Sequence, residues 1–175
     1  VNMDLRDNSE AEASFQRGLK IAPTDPDLNH NYAWFLCKTG KGKLAIPYFR
    51  NALSNPLYTS PSRTYAAAGQ CLLEIKEPKQ AAEYFERALR LDPGNTNAML
   101  PFANVLYERG QFEEARELID RYSRSAPSTA ESLWLAVRVE RKLGNRVAES
   151  SYAAQLRLRF PKSAENQSLQ RGILD

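Results

Sequence analysis

The stretch Thr64–Pro93, TYAAAGQCLLEIKEPKQAAEYFERALRLDP, decides the fold. Small or apolar residues fall at Tyr65, Ala68, Gly69 and Leu72, then at Ala81, Phe85 and Ala88, with Pro93 closing the stretch. Steps of three and four place each group on one face of a helix, so the segment reads as two amphipathic helices broken at IKEP. Downstream, Pro127 and Pro161 follow Pro93 at intervals of 34, and Gly110 and Gly144 keep the same interval.

A period of 34 with this pattern is that of the tetratricopeptide repeat: small residues on the first helix, Ala then an aromatic on the second, Pro at the end. The unit 96–129 supplies Met99, Phe102, Ala103, Leu106, Gly110, Ala115, Ile119, Tyr122 and Pro127, and the unit 130–163 supplies Leu133, Ala136, Val137, Gly144, Ala153, Leu156 and Pro161. Upstream, Asn29, Tyr32, Ala33, Leu36, Gly40, Ala45, Phe49 and Ala52 form another unit. Between Pro56 and Pro93 the spacing is 37, so LYTSPSR carries about three extra residues with turn-forming prolines. The front, AEASFQRGLKIAP, has second-helix positions at Ala11, Phe15, Gly18 and Pro23, so the chain is expected to start inside a repeat.

The expected fold is an all-α tetratricopeptide superhelical solenoid of helix-turn-helix repeats, four full repeats and a partial first one. The boundaries are a partial repeat at 1–25, repeats at 26–61, 62–95, 96–129 and 130–163, and a C-terminal cap at 164–175, all in one domain. Small residues at Ala33, Ala52, Gly69, Ala88 and Ala103 let helices approach, while Phe49, Phe85 and Leu106 fill the seams. The longest apolar run, Tyr32–Cys37, is far below the ~18–20 residues of a membrane-spanning helix. The net charge of +3 is a mild basic tilt, concentrated in residues 116–175, and not the strong basic stripe of a nucleic-acid binder.

The stretch DLNHNYAWFLCKTG holds the only histidine, His30, and one of the two cysteines, Cys37. Cys, His and Asn together suggest nucleophilic catalysis. Seven residues apart on one helix, however, His30 and Cys37 are separated by roughly 10 Å along the axis, whereas a nucleophile and its base need ~2.6–3.2 Å. One His and two Cys are also too few for a structural zinc site. No enzyme, cofactor or metal is expected. Cys37 and Cys71 occupy the twelfth and tenth positions of adjacent first helices, where their sulfurs can meet. An oxidising compartment makes them a disulfide; a reducing one leaves them as two buried small residues.

The ninth position of successive repeats forms a ladder of Trp34, Gln70, Asn104 and Arg138, to which neighbouring positions add Asn31, Tyr107, Trp134 and Arg141. Aromatic anchors with amide donors suit peptide capture, so these are the candidate partner-binding groove. Trp34, inside the apolar run, is the one closest to a core residue. Arg138, Arg141 and Lys142 share a helical turn and would present a positive patch to an acidic segment. The columns that a carboxylate clamp would use read His30, Ala66, Leu100, Trp134 and Asn31, Ala67, Pro101, Leu135, a poor match to the Lys, Arg and Asn it needs.

NHNYAWFLCKTGKGKLAIPYF, then NPLYTSPSRTYAAAGQCLLE, and the terminal FPKSAENQSLQRG resemble the type IV pilus biogenesis and stability lipoproteins, the PilF/PilW pilotins of the pilus secretin. The resemblance runs over nearly the whole chain. It departs at Ala33, where the family usually has Gly, and in repeat number, since the family typically has six. It implies a monomeric protein on the periplasmic side of the outer membrane, in contact with the membrane only through an N-terminal lipid outside this sequence. Its implied partner is the secretin subunit, whose localisation and multimerisation it aids. An oxidising periplasm then favours the Cys37–Cys71 bridge. A generic tetratricopeptide adaptor with a different protein partner is the other reading.

Overall fold

The computed structural model describes the backbone of residues 2–172 and the side chains of residues 8–172; the ends of the expected partial repeat and C-terminal cap lie outside them. Among the described residues the regular structure is all helical. The chain divides into two compact units, Val1–Ala98 and Met99–Asp175.

In the first unit, α1 (Asn2–Ile21) precedes two antiparallel pairs, α2 (Pro26–Lys38) with α3 (Gly42–Ser54) and α4 (Pro61–Glu74) with α5 (Pro78–Leu91). Pro26, Pro61 and Pro78 each open a helix, where the missing N–H has no partner to lose. The Asp25 carboxylate accepts from Leu28 N at 2.7 Å and caps α2. Phe15 on α1 meets Tyr32 and Phe35 on α2, both at 5.4 Å between ring centroids.

The seams are the ones the period demands. Phe49 and Phe85 are wholly buried, as are Ala33, Ala45, Ala52, Ala68, Ala81 and Ala88. Each turn from the first to the second helix of a repeat needs a left-handed residue: Gly40, Gly110 and Gly144 adopt φ of 79°, 77° and 76°, and Lys76 takes the same place at 63° without being glycine. The extra residues of LYTSPSR have a structural use. Tyr58 is buried, and its hydroxyl shares a 2.8 Å hydrogen bond with Thr64 Oγ1.

The second unit contains most of α6 (Thr96–Glu108), then α7 (Phe112–Ser125), α8 (Ala130–Lys142), α9 (Arg146–Arg159) and the short α10 (Ala164–Gln170), which rests on α8 and α9. α8 starts at a reciprocal cap in which Thr129 Oγ1 accepts from Ser132 N at 3.1 Å and Ser132 Oγ accepts from Thr129 N at 2.9 Å. No helix among the described residues is long and apolar enough to cross a membrane.

The last repeat breaks the pattern in two columns. Leu36, Leu72 and Leu106 fill the eleventh position of the first three full repeats, and Glu140 stands in the fourth. Ala45, Ala81 and Ala115 fill the twentieth, and Glu149 follows them. Both carboxylates are buried. Arg141 compensates Glu149 through a 2.6 Å ion pair. Glu140 Oε2 has no hydrogen-bond partner, and burial raises its carboxyl above the ordinary range, against the lowering influence of Arg116 and Asn145. A carboxyl whose folded-state pKa is raised is tolerated at low pH and becomes a penalty as pH rises through that pKa. Glu140→Leu, which restores the column, is therefore expected to stabilise the protein by about 1–3 kcal/mol at neutral pH. The gain should shrink on acidification. Urea melts of both proteins at pH 5 and pH 8 check it, and an equal or reversed difference would remove the buried charge as the cause.

Candidate functional site

The first helices α2 and α4 lie side by side, and two cross-links 34 residues apart hold them. Cys37 is bonded to Cys71, with 5.8 Å between their Cα atoms, inside the usual disulfide range. Two turns earlier along α2, His30 Nδ1 stands 2.8 Å from Thr64 Oγ1, the oxygen that also meets Tyr58.

Between these helices, on the exposed side, lies a pocket of about 210 Å³. Trp34 and Gln70, the first two rungs of the ninth-position ladder, line it together with His30, Ala66 and Ala67. Trp34 is half-buried and not a core residue, because its ring sits at the pocket edge with Lys38 Nζ 4.4 Å above it. Lys38 is in turn held by Glu74 at 2.6 Å. Gln70 Nε2 donates to Asn97 O at 3.1 Å. Asn31 is exposed and does not line the pocket.

Two lining residues, Arg63 and Asn97, belong neither to the ladder nor to the clamp columns. Both are the second residue of their repeats, in the first turn of the helix, and they reach the pocket because a helical side chain leans back toward the start of its helix. A second-position column, Asp27, Arg63, Asn97, Glu131, would have exposed them.

His30 is buried, with an edge-to-face contact to Phe49 at 5.9 Å. Burial, helped by the charge of Arg63 and opposed by that of Asp27, lowers its pKa from 6.5 to about 4. The unfolded chain takes up this proton first as pH falls, so stability is lost from about pH 6.5 down to about pH 4. Between pH 8 and pH 5 this group should account for about 2 kcal/mol of lost stability, given its shift. Denaturant midpoints at both pH values should show a smaller difference in His30→Gln than in the parent; identical differences would place the loss elsewhere.

In the second unit, three of the five expected groove residues, Tyr107, Arg138 and Arg141, are engaged by other side chains of that unit. Asn104 and Trp134 are half-buried. Tyr107 is buried, not groove-facing: its ring meets Phe112 at 5.4 Å and lies 4.1 Å below the Arg138 guanidinium. Arg138 also pairs with Glu108 at 3.2 Å, and its side chain is 15% exposed. Arg141 is spent on Glu149. Arg138, Arg141 and Lys142 therefore do not form the free positive patch expected of them, because two of the three charges neutralise carboxylates of the same unit. Among the described residues no group of three His, Cys, Asp or Glu is placed to hold a metal.

Helix pairs of this length, turn and seam define a tetratricopeptide protein, and a tetratricopeptide repeat family model matches residues 63–138. The type IV pilus assembly protein PilF of Pseudomonas aeruginosa is 29% identical over 160 residues, 91% of this chain and 64% of that protein. The chain thus spans somewhat less than two thirds of that curated relative's length. A solved structure of P. aeruginosa PilF has a TM-score of 0.86 at 29% identity, covering 93% of this chain and 73% of that one. The crystal structure of PilW, described as a widely conserved type IV pilus biogenesis factor, has a TM-score of 0.82 at 31% identity, covering 96% of this chain and 77% of that one. The chain belongs to this family of tetratricopeptide proteins of type IV pilus biogenesis.

Proposed function

We propose that the protein is a non-enzymatic scaffold acting as a pilotin: it binds the pilus secretin subunit and aids its localisation and multimerisation at the outer membrane. Family membership supports the pilus system. The bonded cysteines, drawn from adjacent first helices, suit an oxidising periplasm. The observation that carries a binding role is the pocket between α2 and α4, where a half-exposed tryptophan and amide donors converge on a rigid, cross-linked pair of helices. Anchoring on the periplasmic side of the outer membrane through an N-terminal lipid, and a monomeric state, belong to the same reading.

The test is a pull-down from outer-membrane extract with the lipidated full-length form. It should retain the secretin subunit, and the double variant Trp34→Ala, Gln70→Ala should lower the yield by at least about tenfold, the effect of losing one aromatic anchor. Normal secretin rings in cells lacking the protein would overturn the reading.

A further inference from the structure

The lining of the pocket between α2 and α4 carries charge of one sign only. Arg63 is exposed, and among the described residues no carboxylate pairs with it or lines the pocket. It also borders the neighbouring, wider hollow of about 620 Å³, formed by the loop before α4 and the start of α6. Arg63 and Asn97 border both hollows, so the guanidinium stands between the two. The single acidic residue of the wider hollow, Asp92, already accepts from Gly94 N at 2.9 Å. On the other side of Arg63 the walls are apolar: the Trp34 ring, Ala66 and Ala67, with buried His30 closing the floor.

Size narrows the ligand. About 210 Å³ is below the ~300–1,000 Å³ of ordinary small-molecule sites, which fits one or two side chains of an extended peptide and not a cofactor. A guanidinium without a carboxylate partner at the mouth of an apolar pocket prefers a planar carboxylate, which it can take with two parallel hydrogen bonds.

We propose that this pocket is a carboxylate-recognition subsite for an extended peptide of the protein partner. Arg63 takes the carboxylate, the Asn97 amide adds a donor, and the adjoining apolar side chain lies on Trp34, Ala66 and Ala67. The cation comes from the second column of the repeats and not from the fifth and sixth, which is why the clamp columns read in the sequence looked empty. The inference rests on the reading that this face binds a protein, and it adds the chemistry of what is bound.

The carboxylate has two sources, an Asp or Glu side chain or a chain terminus, and the probes separate them. The full chain, labelled with nitrogen-15, is titrated with acetyl-Ala-Leu-Asp-Ala-amide and its Asn counterpart, and with acetyl-Ala-Ala-Leu as free acid and as amide. At least one carboxylate probe should shift the Trp34 indole and the amides of Arg63, Ala66, Ala67, Gln70 and Asn97. It should bind about tenfold more tightly than its neutral counterpart. Preference for Asp assigns an internal acidic residue; preference for the free acid assigns a terminus.

Arg63→Gln should reduce the preference to about twofold or less while the neutral probes bind as before, and Lys76→Gln should leave it unchanged. Equal binding of charged and neutral probes, no shifts at several millimolar peptide, or an Arg63→Gln variant that keeps the preference would overturn the subsite. Such a failure leaves the pull-down result standing. A failed pull-down with the peptide preference intact removes the secretin and keeps the subsite.

Discussion

Phe85→Ala should lower the free energy of unfolding by about 3–5 kcal/mol, the cost of deleting a ring from a site with no room to collapse. The ring, carried on α5, is fully buried and lies against Gly69 of α4. Gly69 tests the same contact from the opposite side. A Cβ there would come within 2.6, 2.8 and 2.9 Å of three ring atoms of Phe85. Glycine to alanine in mid-helix is ordinarily worth about 1 kcal/mol of stabilisation. Here overpacking against a buried ring, about 1–3 kcal/mol, should exceed it. Gly69→Ala is thus expected to destabilise, and Phe85→Leu, which removes the ring edge, should recover part of that loss in the double variant. Urea unfolding followed by Trp34 fluorescence, with Trp134→Phe in every variant, reports on the unit concerned. A higher midpoint for Gly69→Ala, or strict additivity of the two changes, would show that the ring can move aside.

Replacing both Cys37 and Cys71 by Ala should cost about 3–4 kcal/mol in the chain-entropy account, for a loop whose ends are 34 residues apart. The cost should appear locally. α2 and α4 are held by this bond at one end and by the His30–Thr64 hydrogen bond two turns away, so hydrogen exchange should rise first in α2 and α4, while α8 and α9 keep their protection. The bond itself is checked by mass: protein purified without reductant should gain no alkyl group before reduction and two after it. Two freely alkylated thiols in the untreated protein would sink both the bridge and the stability estimate.

Much of the helical framework was legible because the repeat writes it out several times. Ala33, Phe49, Gly69, Phe85 and Ala103 recur at fixed offsets, and each offset corresponds to a seam between neighbouring helices, so their burial followed from spacing. The turns at Gly40, Gly110 and Gly144 were equally open to reading, since only a left-handed residue reverses the chain there. Lys76 shows the limit: a lysine takes the conformation its three counterparts reserve for glycine.

The candidate site was legible in part. Trp34 and Gln70 were found because the ninth column faces one side, but Arg63 and Asn97 were not, since a side chain's reach depends on the lean of its helix and on what stands beside it. Tyr107, Arg138 and Arg141 look like binding residues in the sequence because they lie in or beside the ninth column. The structure engages them within their own unit, as Tyr107 lies beneath the Arg138 guanidinium and Arg141 answers a carboxylate in a column otherwise held by alanine.

Sequence by itself determined what is periodic: helix lengths, turn positions, the small and large residues of the seams and the kinship with the pilus family. Those features depend on nearest neighbours along the chain and on the next repeat, which the 34-residue interval encodes. Only the tertiary structure decided which polar groups are spent and which are left for a ligand. That balance is set by which charges meet across the seams between helices, as Arg141 of α8 meets Glu149 of α9 while, among the described residues, no carboxylate pairs with Arg63.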